Sequence, residues 1–392
     1  MDDPGKGHRT MQKSWLKRWW FAVAVAAAVG CGIGCSAASS AKDAMGPIPL
    51  SYFGLHLHRA DRGTAWPNVP FGSWRLWDAG VTWAYLEPKK AYWDFSRLDR
   101  YVAMASIANV DIVLPLGASP QWASARPYEP SAYQPGWAAE PAQIEDWIRY
   151  VQVIGNRYRG RIRHYEIWNE PSDKAHFSGD IDAIVRLTCE AKRVLHQIDP
   201  TIAVVSAASA GGGKHIEYLD RYLAAGANKC VDIVAHHFYV FRQGPEAMVP
   251  FIRQVRQVME KNGVGDKPLW NTETGWWLAN GDGTPDHPMV AKGGWKKLEW
   301  SQESGDVLER ALMLARAEGV ERFYWYGWDN QYGLGMIEPT SGKPKPIVDR
   351  WRSVVQELQG ATGLRCSQRG REWTCSYTRR DGRLQQRTWL MP

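Results

Sequence analysis

The chain is poor in cysteine, with six in 392 residues and no CxxC pair. That spacing excludes a thioredoxin-type site and the common zinc motifs. It also lacks a basic body. The net charge of +7 sits at the two ends, where residues 1–40 carry +3 and residues 361–392 carry +5, so residues 41–360 come to −1. Nucleic-acid binding needs clustered Lys and Arg, so no nucleic acid is expected as a partner of this middle part. No glycine-rich phosphate loop follows the first strand-like segment, where the chain reads HLHRADRG. That counts against an open, doubly wound nucleotide-binding sheet. No internal repeat or long low-complexity linker is visible. Phenylalanine is scarce, at nine residues against 22 tryptophans. A core prefers rings without an N–H to satisfy, so part of this tryptophan is expected on a ligand surface.

The first 40 residues read as an export segment. Lys13, Lys17 and Arg18 precede WWFAVAVAAAVGCGIGC, and the small residues SAASSA follow. A positive n-region ahead of an apolar h-region has this form. The apolar run at 19–34 has 16 residues, between a typical h-region and a spanning helix. A cleaved signal and a retained membrane anchor both fit. AVGC, ending at Cys31, and more weakly Cys35, resemble a bacterial lipoprotein box. The expected location is exported, either periplasmic or anchored to the bacterial membrane. Cys366 and Cys375 flank SQRGREWT, which holds an Arg-Gly turn signal. In an oxidising compartment they would staple a hairpin, though two unpaired thiols fit as well.

Between the ends, strand and helix patterns alternate. Strand-like runs stand at 52–58, 74–78, 111–119, 163–170, 201–209, 231–239, 267–274 and 322–328. Several are short and almost wholly apolar, as in parallel strands buried on both faces. Helical spacing appears between most of them, with Asp94 as a cap and Pro141 near a helix start. Eight strands with crossovers predict a (β/α)8 barrel over 41–360. Residues 361–392 carry two turn signals between short alternating runs, which predicts a small β-meander.

In such a barrel, chemistry belongs at the C-terminal strand ends. The first offers His56 and His58, the second Arg75 and Asp78, and the third is followed by Gln121 and Trp122. The fourth ends in Asn169 and Glu170, the sixth in His236, His237 and Tyr239, the seventh in Glu273, and the eighth in Trp325 and Trp328. Only Glu170, in IWNEP, and Glu273, in LWNTETGW, are carboxylates with a Trp-Asn lead-in. Strands four and seven face each other across a barrel mouth. Two carboxyl groups across a cleft are what glycoside hydrolysis needs, one protonated and one ionised. His56 and His58 share a strand face and fit either the sugar site or a hydrogen-bonded structural role. They have no third ligand at metal spacing, so neither metal nor cofactor is implied.

The phrases ASPQWAS, RHYEIWNEP, VAHHFYV and GDKPLWNTETGWW occur in that order. Together they resemble the clan A retaining glycoside hydrolases, within them family 39 and its bacterial relatives of the kind encoded with the Psl exopolysaccharide genes. The layout matches over roughly 50–360. The resemblance implies that Glu170 is the acid/base and Glu273 the nucleophile. It implies that Asn169 binds the sugar 2-hydroxyl and that His237 and Tyr239 form an H-x-Y pattern, with the tyrosine beside the nucleophile. It further implies that Arg75 supports the nucleophile and that Trp325 is a sugar platform. Trp122 is expected in the groove. The long β-sandwich of the larger family 39 enzymes is missing, which leaves the exact family and the oligomeric state open.

The reading is an exported retaining glycosidase, endo-acting on a bacterial exopolysaccharide. Its rivals are an exo-acting β-xylosidase-type enzyme and a catalytically silent carbohydrate-binding or assembly protein of a secretion system.

Overall fold

The computed structural model describes residues 45–391 except 241, 292, 300, 331 and 332. The export segment expected at 1–40 lies outside the described residues. Among them, no helix is long and apolar enough to cross a membrane.

The strands are β1 Phe53–Leu55, β2 Ser73–Arg75, β3 Asp111–Leu116, β4 His164–Ile167, β5 Ala203–Val205, β6 Ser209–Ala210, β7 Val234–His237, β8 Leu269–Thr274, β9 Trp277–Leu278, β10 Lys297–Leu298, β11 Val320–Trp325, β12 Thr362–Arg369, β13 Glu372–Thr378 and β14 Leu384–Leu390. The helices are α1 Trp83–Leu86, α2 Ser96–Ala108, α3 Ile144–Arg157, α4 Ile181–Ile198, α5 Lys214–Ala224, α6 Met248–Lys261, α7 Pro288–Ala291, α8 Ser301–Ala317 and α9 Ile347–Leu358.

Eight strands pair in parallel in the order β5, β4, β3, β2, β1, β11, β8, β7. A parallel bridge from Val205 to Ile233 closes β5 onto the strand-seven side. The result is a closed (β/α)8 barrel, and each of the eight strand-like runs supplies one of its strands. β6 extends the fifth strand by pairing with His236 and His237. The first crossover, between β1 and β2, carries no helix.

The barrel interior is a separate apolar cluster of Val113, Val205, Ala208, Ile233, Ala235, Trp270 and Tyr324. Tyr324 fills the space that Gly54 leaves on the neighbouring strand: a Cβ on Gly54 would lie 2.4 Å from its ring. At the strand starts, Arg322 lies over Trp270 at 4.2 Å and pairs with Asp111, which also meets His164. This charged, aromatic plug closes the end away from the glutamates.

The larger core lies between the strands and the helices. α4 shows how the sequence builds that layer. Asp180 caps it by accepting from the Ala183 amide, and Ile184, Leu187, Ala191 and Leu195 repeat at helical spacing and are buried. α2 ends at Asn109 in the left-handed region. Asp94 accepts the Ser96 amide just ahead of that helix. Pro141 lies three residues ahead of its helix. α3 begins at Ile144, and Pro141 bridges to Ser124.

β12, β13 and β14 form an antiparallel sheet. Its inner residues Trp373, Cys375 and Tyr377 belong to the same core as the barrel helices. Cys366 faces Cys375 across the hairpin, and the two are bridged. A second disulfide, Cys189–Cys230, ties α4 to the turn that precedes β7.

Candidate active site

At the C-terminal ends of the strands the backbone turns sharply. Asp78, Ala118, Trp168 and Glu170 all have positive φ, of 56°, 57°, 60° and 47°. Such conformations cost free energy for residues other than glycine and gather at functional sites. Here they follow β2, β3 and β4. Gly117, at φ 146°, lets the Trp168 ring pack directly on the backbone, since a Cβ there would lie 2.9 Å from it. Trp168 in turn donates its indole N–H to the His176 carbonyl. This packing fixes the two residues that follow it, Asn169 and Glu170. The Glu170 amide donates to the Ala208 carbonyl at 2.9 Å.

Arg75 is the centre of the site and is fully buried. Its Nε donates to Glu166 Oε2 at 2.5 Å, Nη1 to Glu273 Oε2 at 2.8 Å, and Nη2 to Asn169 Oδ1 at 2.8 Å. The guanidinium fork suits such planar, multiple recognition. Glu166 is completed by Thr272, which donates from Oγ1 at 2.9 Å. Glu273 also accepts from the Tyr239 hydroxyl at 3.0 Å. Glu170 Oε1 is hydrogen-bonded to His237 Nδ1 at 2.8 Å, and His176 stands 3.9 Å from its other oxygen. The side chains of Glu170 and Glu273 are 17% and 10% exposed, so both reach the cleft. An oxygen of each and a ring nitrogen of His237 lie within 4.8 Å of one another.

The two carboxyls sit in unequal settings. Burial raises the pKa of Glu273, and Glu170 and Asp78 add to it. His237 and Arg75 oppose them, and the balance is about 7. Burial also acts to raise Glu170, but the hydrogen bond and charge of His237, with His176 and Arg75, bring it down to about 2. These directions run opposite to the roles that the resemblance implies, Glu170 as acid and Glu273 as nucleophile. Arg75 and Tyr239 do contact Glu273, but burial and the nearby carboxylates outweigh them. Between these two values the pair holds one proton, and a macroscopic titration belongs to the pair rather than to either residue.

Arg75, His237 and Tyr239 thus meet the two glutamates directly, and Asn169 meets Arg75. His56 lies close by but is fully buried, donating from Nε2 to the Thr272 carbonyl at 3.0 Å. Burial and the charges of Arg75 and His58 lower its pKa, which favours the neutral ring. One expectation needs correcting. Trp325 is fully buried and stacks on Trp276 in the core behind the strands. Because Tyr324 points into the barrel, strand alternation turns Trp325 outward, and Tyr326 takes the mouth position. Tyr326 donates to Asp78 Oδ2 at 2.6 Å and contacts the rings of His56 and His58. Trp122 packs edge-on against Trp83 of α1 between Lys90 and Arg149, and donates to the Glu87 carbonyl. Those partners lie on α1, on α3 and in the loop after α1, and none is among the residues that meet the two glutamates.

The sequence reading also missed residues. Glu166 had a signal, since a carboxylate inside a strand must be paired. Tyr133 and Trp137 had none, because they lie in an irregular loop. With Trp77, Asp78 and Tyr85 they line one flank of the mouth. Tyr133 accepts from Trp77 Nε1 at 2.9 Å and contacts His176. On the other flank Trp277, Trp295 and Tyr326 cluster, with Trp295 against Tyr239.

Among the described residues, Glu170, His237 and Glu273 form the group that converges closely enough to hold a metal ion. Arg75 already supplies the positive charge there, which disfavours a dication beside it.

No family model and no curated protein sequence matches the chain. Solved structures do. One is a family 39 glycoside hydrolase from Bacteroides cellulosilyticus WH2, with TM-score 0.67 and 17% identity, over 88% of this chain and 71% of that one. A second is a monomeric β-xylosidase from Caulobacter crescentus CB15, with TM-score 0.62 and 18% identity, over 86% and 75%. A third is the xylanase XynB from Paenibacillus barcinonensis, with TM-score 0.52 and 13% identity, over 79% and 98%. The shared feature is the fold. Family 39 and other glycoside hydrolases are thus structural neighbours of this (β/α)8 barrel.

Proposed function

We propose that this chain is a retaining glycoside hydrolase that cleaves by double displacement. The observation that carries it is the close approach of Glu170 and Glu273 across the mouth, with oxygens within 4.8 Å. Retaining enzymes hold their carboxyls about 5–5.5 Å apart, whereas inverting ones need about 6.5–9.5 Å to admit a water. Glu273 attacks the anomeric carbon while Glu170 protonates the leaving oxygen. The glycosyl–Glu273 ester then breaks as Glu170 takes a proton from water. In the reacting complex the pair's single proton is carried by Glu170. His237, already bonded to Glu170, holds that side chain in place for the transfer. Arg75 binds Asn169 through Oδ1, which leaves the Asn169 NH2 as donor to a sugar hydroxyl.

The substrate in this reading is a bacterial exopolysaccharide cut internally. Aromatic residues on both flanks, Tyr85, Tyr133 and Trp137 on one and Trp295 on the other, support a cleft that holds several sugars. Two disulfides support an exported enzyme, since such bonds persist in oxidising compartments. The basic N-terminal segment would deliver it to the periplasm or hold it at the membrane.

The test is product analysis on a panel of aryl glycosides and bacterial exopolysaccharides, with Glu273→Gln as control. Internal cleavage products from the native chain, absent with the variant, are expected. Turnover that survives Glu273→Gln would contradict the proposal.

A further inference from the structure

The loops after β1 and β11 leave the barrel at the same face as Glu170 and Glu273. Between them lies a cavity of about 520 Å³, walled by Arg59, Arg62, Trp66 and Trp328. Arg62 links it to the central cleft. Its guanidinium lies 3.5 Å from where a Cβ on Gly80 would stand, and Gly80 lines the cleft flank beside Trp77 and Asp78. Two arginines and no carboxylate line the cavity.

The donors there are underused. Arg59 Nε has no hydrogen-bond partner and stands 3.9 Å from the buried Asp329 carboxylate. Arg59 is held in place by donating from Nη2 to the Asp329 carbonyl at 2.8 Å. Arg62 has only Asp61 nearby, at 3.8 Å, beyond hydrogen-bond reach. Asp61 is itself engaged by Arg97 at 2.8 Å and by Tyr101 at 2.6 Å. Arg62, with a side chain 56% exposed at the cavity, has guanidinium N–H groups available to an acceptor. A guanidinium fork beside an indole ring fits a planar carboxylate carried on a sugar ring.

We infer that this cavity is a subsite for a carboxylate-bearing sugar, so that the polymer taken by the cleft is an acidic polysaccharide. The inference rests on the glycosidase reading for the cleft and adds the class of substrate. The uronate carboxylate accepts from Arg62 and Arg59, and the ring of the same sugar packs on Trp66.

The experiment measures binding, so it does not depend on turnover. Oligosaccharides bearing glucuronate, galacturonate or mannuronate are titrated calorimetrically into the full chain carrying Glu273→Gln. Each is compared with its carboxyl-reduced form. At least one acidic ligand should bind about ten-fold more tightly than its reduced form, the scale of one charge-assisted hydrogen bond. Arg62→Ala, a change at an exposed side chain, should erase that preference. If no acidic ligand outbinds its reduced form, or if the preference survives Arg62→Ala, the inference is overturned. Hydrolysis of an aryl glycoside by the native chain reads the catalytic proposal separately. Turnover without an acid preference keeps the catalytic proposal and removes the subsite. An acid preference without turnover does the reverse.

Discussion

Arg75 divides one positive charge between Glu166 and Glu273, and Glu170 adds a third carboxylate a few ångströms away. Burial of Glu273, with Glu170 and Asp78 close by, is why a proton stays in the site up to about 7. That sets the pH dependence. Catalysis needs one proton on the pair, so kcat/KM should hold through mildly acidic pH and fall above about 7, roughly ten-fold per unit, as the proton is lost. Tyr239→Phe removes a donor to ionised Glu273 and so raises its pKa. The falling limb should therefore move upward in the variant. A pH profile in which it stays put or moves down would contradict this account. Much of this site was legible. Glu170, Glu273, Arg75, Asn169, His237 and Tyr239 stand at strand ends, where apolar runs stop at polar residues. Their protonation was not legible, because it depends on burial and on charges from strands far apart in sequence.

At the scale of elements, the eight barrel strands were readable because strands buried on both faces must be apolar throughout. Orientation within a strand is harder to read from such a run. The same continuity hid the alternation that turns Trp325 outward and Tyr326 to the mouth. The loops carried no periodicity, so Tyr133 and Trp137 went unseen. The Cys366–Cys375 bridge had a local signal in its turn. Cys189–Cys230 had none, since four cysteines allow three pairings. These two bridges should differ in worth. They span 41 and 9 residues. The chain-entropy model gives ~4 kcal/mol for the longer loop and ~2.5 kcal/mol for the shorter. Urea midpoints of Cys189→Ser/Cys230→Ser and Cys366→Ser/Cys375→Ser, each double variant against the native chain, should show the larger loss for the first. Equal losses would mean that packing, not loop closure, decides.

For the whole molecule, the C-terminal sheet extends the barrel's core. Trp373 and Tyr377 are buried in it, and Tyr377 donates to Glu357 on α9 at 2.5 Å. Arg387 bonds Glu357 and Glu309, and Trp389 donates to Glu246 at 2.7 Å. The sequence showed the turns of this sheet and its +5 charge, but not which barrel surface it covers, because that depends on residues some 30 to 140 positions away. Ending the chain after residue 360 would expose apolar surface on α8 and α9. Such a chain should unfold at a clearly lower temperature than the native one in a thermal melt. An unchanged midpoint would show that the sheet is a passive addition. If the sheet's arginines also hold acidic polymer, binding should weaken steeply with salt.

The central claim is the division of labour between Glu170 and Glu273, and azide rescue tests it most directly. On an aryl glycoside with a good leaving group, Glu170→Ala should still form the glycosyl–Glu273 ester. Azide should then release a glycosyl azide of retained configuration. With Glu273→Ala, azide takes the place of the missing nucleophile, and the product should be inverted. NMR of the two products reads the configuration. Retention for Glu170→Ala with inversion for Glu273→Ala is the predicted result. The swapped pattern would contradict the assignment of roles, and rescue of neither variant would contradict the site.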